Sequence, residues 1–303
     1  MKNFNMLTVK RFKKYWQLFI LVLPAMIYTA VFSYGPMYGI IIAFKNYKPK
    51  LGYWGSDWVG LKHFIRFVTY PEFGEMLLNT LSISLYSLAT FPCAIILALL
   101  INEIKSNAFK KTVQMVTYAP YFLSTVVLCG IVSLFVGREG PIGLLYTTIT
   151  GKSENLLAIP EFFNDIYVWS GVWQGTGWGT IVYLAALAGV SSELIESAKI
   201  DGATRLQIIR HVELPCIMPT IIVMLIMRTG NILSVGFEKI LVLQNVLNLS
   251  ASKVISTYVY EIGLAGGQFS YSTAIGLFNN IINITMILIV NKVSKKLTGM
   301  GMW

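Results

Sequence analysis

Charged side chains are scarce in this chain, whereas apolar side chains are abundant. Asp, Glu, Lys and Arg make up 13% of the 303 residues, hydrophobic residues make up 55%, and the mean hydropathy is +0.64. A soluble protein of this length could not cover its surface with so few charges. The scarcity therefore excludes an ordinary soluble globular protein and indicates a membrane protein.

Cysteine and histidine are also rare. The three cysteines, Cys93, Cys129 and Cys216, fall within or beside apolar runs, with no metal-binding spacing and no even disulfide framework. The two histidines, His63 and His211, are far apart in sequence, and no carboxylate pair stands at a plausible active site. We therefore expect no metal site and no catalysis by this chain.

Most of a phosphate-binding loop is missing as well. Gly151-Lys152-Ser153 resembles the end of that motif, but its first glycine should stand where Tyr146 is found. No buried parallel strand precedes the tripeptide. The sequence therefore predicts that this chain binds no ATP, and we expect no cofactor on it.

Long apolar stretches are what the sequence does contain, and about 20 such residues cross a bilayer as a helix. Six stretches qualify or nearly do so: 16–44, 77–101, 112–136, 166–190, 216–235 and 273–291. Gly35-Pro36 interrupts the first stretch, so we expect a kink or an end there. The prediction is an all-α polytopic membrane protein with six transmembrane helices. It has a cytoplasmic segment 1–15 and one transmembrane domain over 16–303.

The distribution of positive charge predicts the orientation of the spans. With the N-terminus inside, the inner segments carry 14 Lys and Arg against 5 acidic residues, and the outer segments carry 9 of each sign. Cytoplasmic loops are enriched in Lys and Arg, so both termini should be cytoplasmic. The net charge of +10 thus indicates topology rather than a nucleic-acid surface.

A short polar segment between the fourth and fifth stretches has the pattern of helix, turn, helix. Ser191 or Ser192 can cap the first helix, and Gly202 supplies the positive φ at which a helix ends. The second helix should cover 203–214 and stop before Pro215. A chance surface helix-turn-helix is the alternative to a functional loop.

This segment resembles the signature loop of the membrane subunits of ATP-binding-cassette (ABC) importers. The family pattern is E-A-A, three residues, G, nine residues, I, one residue, L-P, and here Ser197 replaces the first Ala and Val212 replaces Ile. The resemblance implies that the loop 191–215 docks on a separate ATPase and couples it to transport. The coupling residues that it implies are Glu196, Ala198, Asp201, Gly202, Ala203, Leu214 and Pro215.

Further segments narrow the resemblance to one branch of that family. Residues 234–245, 255–260 and 270–279, with the terminal Trp303, are similar to oligosaccharide and polysaccharide permeases of the lipoprotein-associated sugar permease B type. The resemblance implies the type I importer permease fold, a bacterial cell membrane and ATP-driven oligosaccharide import. It also implies a second homologous permease, an ABC ATPase dimer holding ATP and Mg, an extracellular solute-binding lipoprotein and membrane lipid as partners. Nucleic acid is not among them.

Polar and aromatic side chains inside the spans are candidates for lining the substrate path. They are Trp173, Gln174, Trp178, Arg228, Asn231 and Asn279. A polar group within a bilayer needs a partner or a wet cavity, and tryptophan can stack on a sugar ring. We expect Arg228 near the middle of the fifth span, where a structural partner is the alternative role. Gly171, Gly175 and Gly179 recur every four residues, and for these glycines we expect close helix packing instead of a role in the path.

An ATP-independent secondary transporter or channel is the alternative function. That class predicts an inverted repeat and carboxylates inside the spans for ion coupling. The sequence shows no internal repeat, and no Asp or Glu falls inside an assigned span. Co-purification with an ATPase separates the two classes.

Overall fold

Helices dominate the computed structural model, which describes residues 2–299, 301 and 302; Trp303 lies outside the described residues. In chain order the α-helices are α1 (Lys2–Thr29), α2 (Gly35–Met37), α3 (Gly52–Gly55), α4 (Lys62–Val68), α5 (Phe73–Ala89), α6 (Pro92–Glu103), α7 (Asn107–Tyr118), α8 (Thr125–Val136), α9 (Pro141–Thr150), α10 (Pro160–Ala188), α11 (Ser192–Ile200), α12 (Arg205–Ile208), α13 (Leu214–Thr229), α14 (Phe237–Leu243), α15 (Leu249–Ser252), α16 (Ile255–Tyr260) and α17 (Phe269–Thr298). Two short strands, β1 (Lys45–Asn46) and β2 (Asp57–Trp58), pair antiparallel.

The predicted all-α polytopic membrane fold is confirmed. Among the described residues, five helices are long and apolar enough to cross a membrane: Lys14–Phe44, Phe73–Glu103, Thr125–Thr150, Arg205–Thr229 and Phe269–Lys296. A sixth span is formed if α10 and α11 are counted together, and these two helices are bent by 75° at the short break between them. The bend falls at the start of the predicted coupling loop.

The first span changes its helical geometry where Gly35-Pro36 predicted a kink or an end. A π turn covers Ala30–Tyr34, α2 follows, and a 3₁₀ segment covers Tyr38–Phe44. The helical path therefore continues, with altered hydrogen bonding around a proline that lacks a backbone donor. The backbone also leaves helical angles at Tyr15 (φ −117°, ψ 20°), where the predicted span begins.

The third predicted span, 112–136, is wrong as one helix, because it is divided between α7 and α8. Pro120 removes a backbone donor from the segment between them. Ser124 then accepts a hydrogen bond from Val127 N–H at 3.4 Å and caps α8. The apolar stretch long enough to span is Thr125–Thr150, which comprises α8 and α9.

The predicted helix stop before Pro215 is wrong as well. A π turn over Ile209–Glu213 joins α12 to α13, and the helix runs on to Thr229. The wider turn accommodates a residue that lacks an N–H and would clash with the carbonyl four residues earlier in a regular α-helix. The fifth span therefore covers Arg205–Thr229 instead of the predicted 216–235.

The chain forms two compact units. The first comprises residues 2–67 and 262–277. Within it, Nε2 of His63 donates to the Lys45 carbonyl at 3.1 Å, and Tyr47 N–H donates to Ser270 Oγ at 2.9 Å. These bonds hold the β-hairpin segment against α4 and against the beginning of α17.

The second unit comprises Val68–Glu261 and the chain from Phe278 onward, and α10 is its central helix. α10 packs against α5, α6, α7 and α13. One buried cluster includes Phe163 and Ile240, and another includes Tyr183 and Ile217. Each cluster takes one buried aromatic side chain from α10, so this helix positions the elements on which the candidate sites lie.

Candidate functional site

The polar loop after α10 contains a helix cap built from the residues that the sequence pattern selected. Ser191 starts α11 by accepting a hydrogen bond at 3.2 Å from the backbone N–H two residues later. Gly202 has φ +77°. Ala203 N–H donates to the Ala198 carbonyl at 2.9 Å, and Gly202 N–H donates to the Lys199 carbonyl at 3.1 Å. These two bonds form a Schellman motif, which needs a residue that tolerates positive φ.

Two polar contacts attach this loop to α6. Arg205 Nη1 lies 3.0 Å from Glu103 Oε2. Asn102 Nδ2 donates to Glu213 Oε1 at 3.1 Å, and Glu213 is buried. The loop is therefore held by α6 as well as by α10 and α13, with which it is continuous.

Leu214 and Pro215 lie at the start of α13 instead of at the end of a helix. Leu214 packs against the buried cluster that contains Tyr183 and Ile217, while Pro215 is exposed. The leucine thus fixes the end of the loop to the packed interior of the second unit.

The loop also exposes large apolar side chains. Leu194, Ile200 and Leu206 are 52%, 86% and 74% exposed, and Glu196 and Asp201 beside them are exposed too. Exposed apolar groups among polar ones mark interaction surfaces. We call Leu194, Ile200 and Leu206 the apolar face of the loop. The sequence pattern did not single out these three residues. For Ile200 the available signal was an apolar side chain directly before the helix-ending Asp201-Gly202.

A polar cavity of about 330 Å³ borders α5, α6 and α10. Its polar lining residues are Ser87, Thr90, Tyr167, Gln174, Thr176, Arg228 and Lys239, with no Asp or Glu among the described lining residues. A smaller cavity of about 180 Å³ shares Ser87, Tyr167 and Arg228 with the first and adds Asn231. The larger volume falls within the range of about 300–1,000 Å³ found for small-molecule sites.

Arg228 lies in the last turn of α13 instead of at the middle of a span. The helix ends at Thr229 instead of at the predicted residue 235, so Arg228 is one residue from its end. A cation in the last turn interacts favourably with the helix dipole. Arg228 Nη2 donates to the Ser87 carbonyl at 2.7 Å, which joins the end of α13 to α5.

Lys239 on α14 is the second cation of the cavity, and it is not among the site residues predicted from the sequence. It is buried, its Nζ donates to the Tyr167 carbonyl at 2.8 Å, and the same Nζ lies 4.6 Å from the Tyr167 ring centroid. Lys239 lies outside the apolar spans. Its burial lowers the pKa of its side chain to about 8. The amine therefore remains mostly protonated at neutral pH. Its sequence signal was a lone lysine followed by the apolar run Ile240–Leu243.

The regularly spaced glycines of α10 line this cavity instead of forming its tightest helix contact. A Cβ added at Gly175 would meet nothing within 4 Å. The close packing occurs at Gly177, where an added Cβ would lie 2.0 Å from the Thr117 carbonyl oxygen on α7. The absence of a side chain at Gly175 leaves open space, whereas at Gly177 it permits two backbones to touch.

Three of the six predicted path residues line the two polar cavities. Gln174 and Arg228 line the larger one, and Arg228 and Asn231 line the smaller one. Gln174 Nε2 also donates to the Leu123 carbonyl at 3.3 Å. Gln174 therefore satisfies a carbonyl in the break before α8 while it borders the cavity.

The other three predicted path residues lie elsewhere. Trp173 lines a separate, mainly apolar groove of about 540 Å³ together with Trp169. Trp178 stacks on Tyr121 with ring centroids 4.6 Å apart. Asn279 on α17 lines neither polar cavity, and its buried Oδ1 has no hydrogen-bond partner among the described residues. Three of the six candidates therefore line the polar cavities, and the other three lie in an apolar groove, in an aromatic stack and on α17.

Comparison with known proteins gives consistent matches. Residues 90–299 match the family described as binding-protein-dependent transport system inner membrane component. The polygalacturonan/rhamnogalacturonan transport system permease protein YteP of Bacillus subtilis is 42% identical over 94% of this chain and 90% of its own length. Protein LplB of the same organism is 41% identical over 94% of this chain and 91% of its own length.

Solved structures match over almost the whole chain. One is a chain in the crystal structure of a bacterial ABC transporter involved in the import of the acidic polysaccharide alginate. Its TM-score is 0.86 at 38% identity, with 96% of this chain and 99% of that chain covered. A chain in the bacterial alginate ABC transporter in complex with an alginate pentasaccharide-bound periplasmic protein also has a TM-score of 0.86 and 38% identity. In that case 96% of this chain and 98% of the other chain are covered.

Proposed function

The chain belongs to the family of binding-protein-dependent transport system inner membrane components, and from this premise we propose that it is the permease subunit of an ATP-driven oligosaccharide importer. Relatives named for the transport of polygalacturonan and alginate support a saccharide as the cargo. The chain itself contributes a path and a mechanical connection and no catalysis. ATP and Mg belong to a separate ATPase dimer.

The loop 191–215 is the observation that carries this proposal. Its apolar face would enter a groove on the ATPase, with Glu196 and Asp201 meeting basic groups at the rim. The Schellman cap at Gly202 keeps the turn between α11 and α12 in one conformation. A displacement of the ATPase would therefore move the loop as a unit instead of deforming it.

Movement of the loop would reach the polar cavity through three connections. The Arg205–Glu103 ion pair joins the loop to α6, and α11 follows α10 directly along the chain. Leu214 packs at the start of α13. Residues of α6, α10 and α13 border the cavity. Rigid-body shifts of these helices would open the cavity to one side of the membrane and then to the other.

The cavity offers groups that suit a polyhydroxylated solute. Serine and threonine hydroxyls donate and accept hydrogen bonds, and Gln174 and Arg228 add amide and guanidinium donors. We place an extracellular binding lipoprotein at the outer segments and both termini in the cytoplasm. A second, homologous permease would complete the path.

Co-purification tests the coupling role. Ile200→Ser and Leu206→Ser should reduce recovery of the ATPase with the permease, because each removes a large apolar contact. The matched control is Val246→Ser, which changes a side chain that is 90% exposed in a segment predicted to lie outside. Equal loss of the ATPase in all three variants, or in none, would contradict the assignment of the apolar face.

The ATP-independent secondary transporter or channel makes the opposite prediction. Such a protein would be purified without an ATPase, and changes at Ile200 or Leu206 would leave its transport rate unchanged. Stimulation of ATP hydrolysis by the loaded binding protein, lost in Ile200→Ser, would exclude it.

A further inference from the structure

The polar cavity contains two cations without a carboxylate beside them. Arg228 and Lys239 both line it, and neither forms an ion pair among the residues that the structure describes. Each donates one hydrogen bond to a backbone carbonyl, from Ser87 and Tyr167 respectively. A guanidinium has five N–H donors and an ammonium has three. Both groups therefore keep donors available for a ligand.

Lys239 is buried, whereas Arg228 is exposed, and an unpaired cation in a protein interior is costly unless a partner or water compensates it. A neutral sugar needs only hydroxyl and amide partners, and the cavity already has these in Ser87, Thr90, Gln174 and Thr176. The recognition of sugar hydroxyls therefore does not require the two cations that also line the cavity. Charge-assisted bonds from Arg or Lys to carboxylates are among the strongest hydrogen bonds in proteins.

The glycines of α10 leave part of the cavity wall without side chains. An added Cβ at Gly171 would lie 3.3 Å from Lys239 Nζ, so this glycine leaves room beside the ammonium. Gly175 borders the same cavity with open space in front of it. A sugar ring with a substituent could therefore approach the wall of α10 without meeting a side chain.

We propose that this cavity selects an oligosaccharide that carries carboxylates, with Arg228 and Lys239 as the residues that determine specificity for uronic acid units. This inference rests on the proposed function, because it names the cargo of the same path. Arg228 and Lys239 act by binding, and no covalent step is involved.

The test is uptake into proteoliposomes that contain the complete importer with its binding protein and ATP. The probes are galacturonate and mannuronate oligosaccharides of two to five units, each beside its carboxyl-reduced counterpart, in which CH₂OH replaces the carboxylate. The wild-type complex should transport at least one acidic probe in preference to its neutral counterpart. Lys239→Gln and Arg228→Gln should each lower the ratio of acidic to neutral uptake about ten- to hundredfold, as expected for a lost bond to a charged group. Lys239→Arg, which keeps the charge, should retain most of the ratio.

The ratio separates recognition from folding, because a variant that merely folds poorly lowers both rates together. The binding protein is the same in every sample, so its own preference cancels between variants. Preferential transport of the neutral probes, or an unchanged ratio in both glutamine variants, would overturn the inference and leave the importer assignment intact. Absence of ATP-dependent uptake for every probe would instead contradict the proposed function.

Discussion

Substitution of Gly177 by alanine should destabilise the second unit. The added Cβ would lie 2.0 Å from the Thr117 carbonyl oxygen, and real Cβ atoms essentially never come within 3.0 Å of a non-bonded heavy atom of another residue. The backbones of α10 and α7 must therefore separate by about 1 Å at this point. Overpacking costs about 1–3 kcal/mol, and we expect the upper end because the obstacle is backbone.

The helix propensity of alanine offsets part of this cost. Alanine is favoured over glycine in a helix by about 1 kcal/mol, so Gly177→Ala should lose about 2 kcal/mol net. That loss corresponds to about a thirtyfold change in the folding equilibrium. Gly175→Ala is the matched control on the same helix, and it should be neutral or slightly stabilising because its Cβ enters open space.

Thermal unfolding of the detergent-solubilised complex checks this pair. We expect a lower midpoint and a lower membrane yield for Gly177→Ala and wild-type behaviour for Gly175→Ala. Equal midpoints for the two variants, or a loss confined to Gly175→Ala, would refute the distinction between a contact glycine and a cavity glycine.

Three further predictions concern other parts of the chain. Gly202→Asp should leave the protein inserted but reduce coupling, because a side chain at φ +77° strains the Schellman turn; normal uptake per ATP hydrolysed would contradict this. In a cysteine-free background, cysteines at Lys152 and Val246 should react with an impermeant reagent from outside, and one at Leu206 only after permeabilisation; the reverse pattern would overturn the topology. Burial lowers the pKa of His63 below its ordinary 6.5. The unfolded state then binds more protons, so the first unit should lose stability as the pH falls below about 6.5. Hydrogen exchange over 45–67, corrected for intrinsic rates, should be faster at acidic pH than at neutral pH. His63→Gln should abolish this dependence on pH, and a pH-independent exchange rate in the wild type would contradict the prediction.

The sequence predicted the structure correctly where a feature depends on the local chemistry of one residue type. Gly202 predicted a positive φ, and the helix ends there because the Schellman motif requires it. Apolar composition predicted the all-α membrane fold, since only helices satisfy the backbone across such long apolar stretches. Both inferences depend on local chemistry, which the sequence contains.

Prediction of the helix bounds failed where the effect of one residue depends on the backbone geometry of the preceding turn. Pro215 alone indicates a helix stop, but the π turn before it allows the helix to continue. The helix also ends at Thr229 instead of at the predicted residue 235, and this earlier end places Arg228 in the last turn instead of the middle. Neither the π turn nor the earlier end has a distinct residue pattern that composition or spacing could show.

The candidate site was predictable only in part, because its residues come from separate segments. Gln174, Arg228 and Asn231 were found because polar groups are unusual inside apolar spans. Lys239 was missed because a lysine in a segment predicted to lie outside the membrane needs no explanation. Its burial against Tyr167 depends on the packing of α14 onto α10, which is a tertiary contact.

The most direct test of an ATP-driven permease with a path beside α10 is uptake of a radiolabelled oligosaccharide by proteoliposomes that hold the complete importer. The comparison is between wild type and Gly175→Leu, which fills the open space of the cavity while leaving the loop 191–215 unchanged. We predict that wild-type uptake requires both ATP and the binding protein. Gly175→Leu should abolish uptake while ATP hydrolysis still responds to the loaded binding protein. Wild-type uptake without ATP, or full uptake by Gly175→Leu, would contradict an ATP-driven path beside α10.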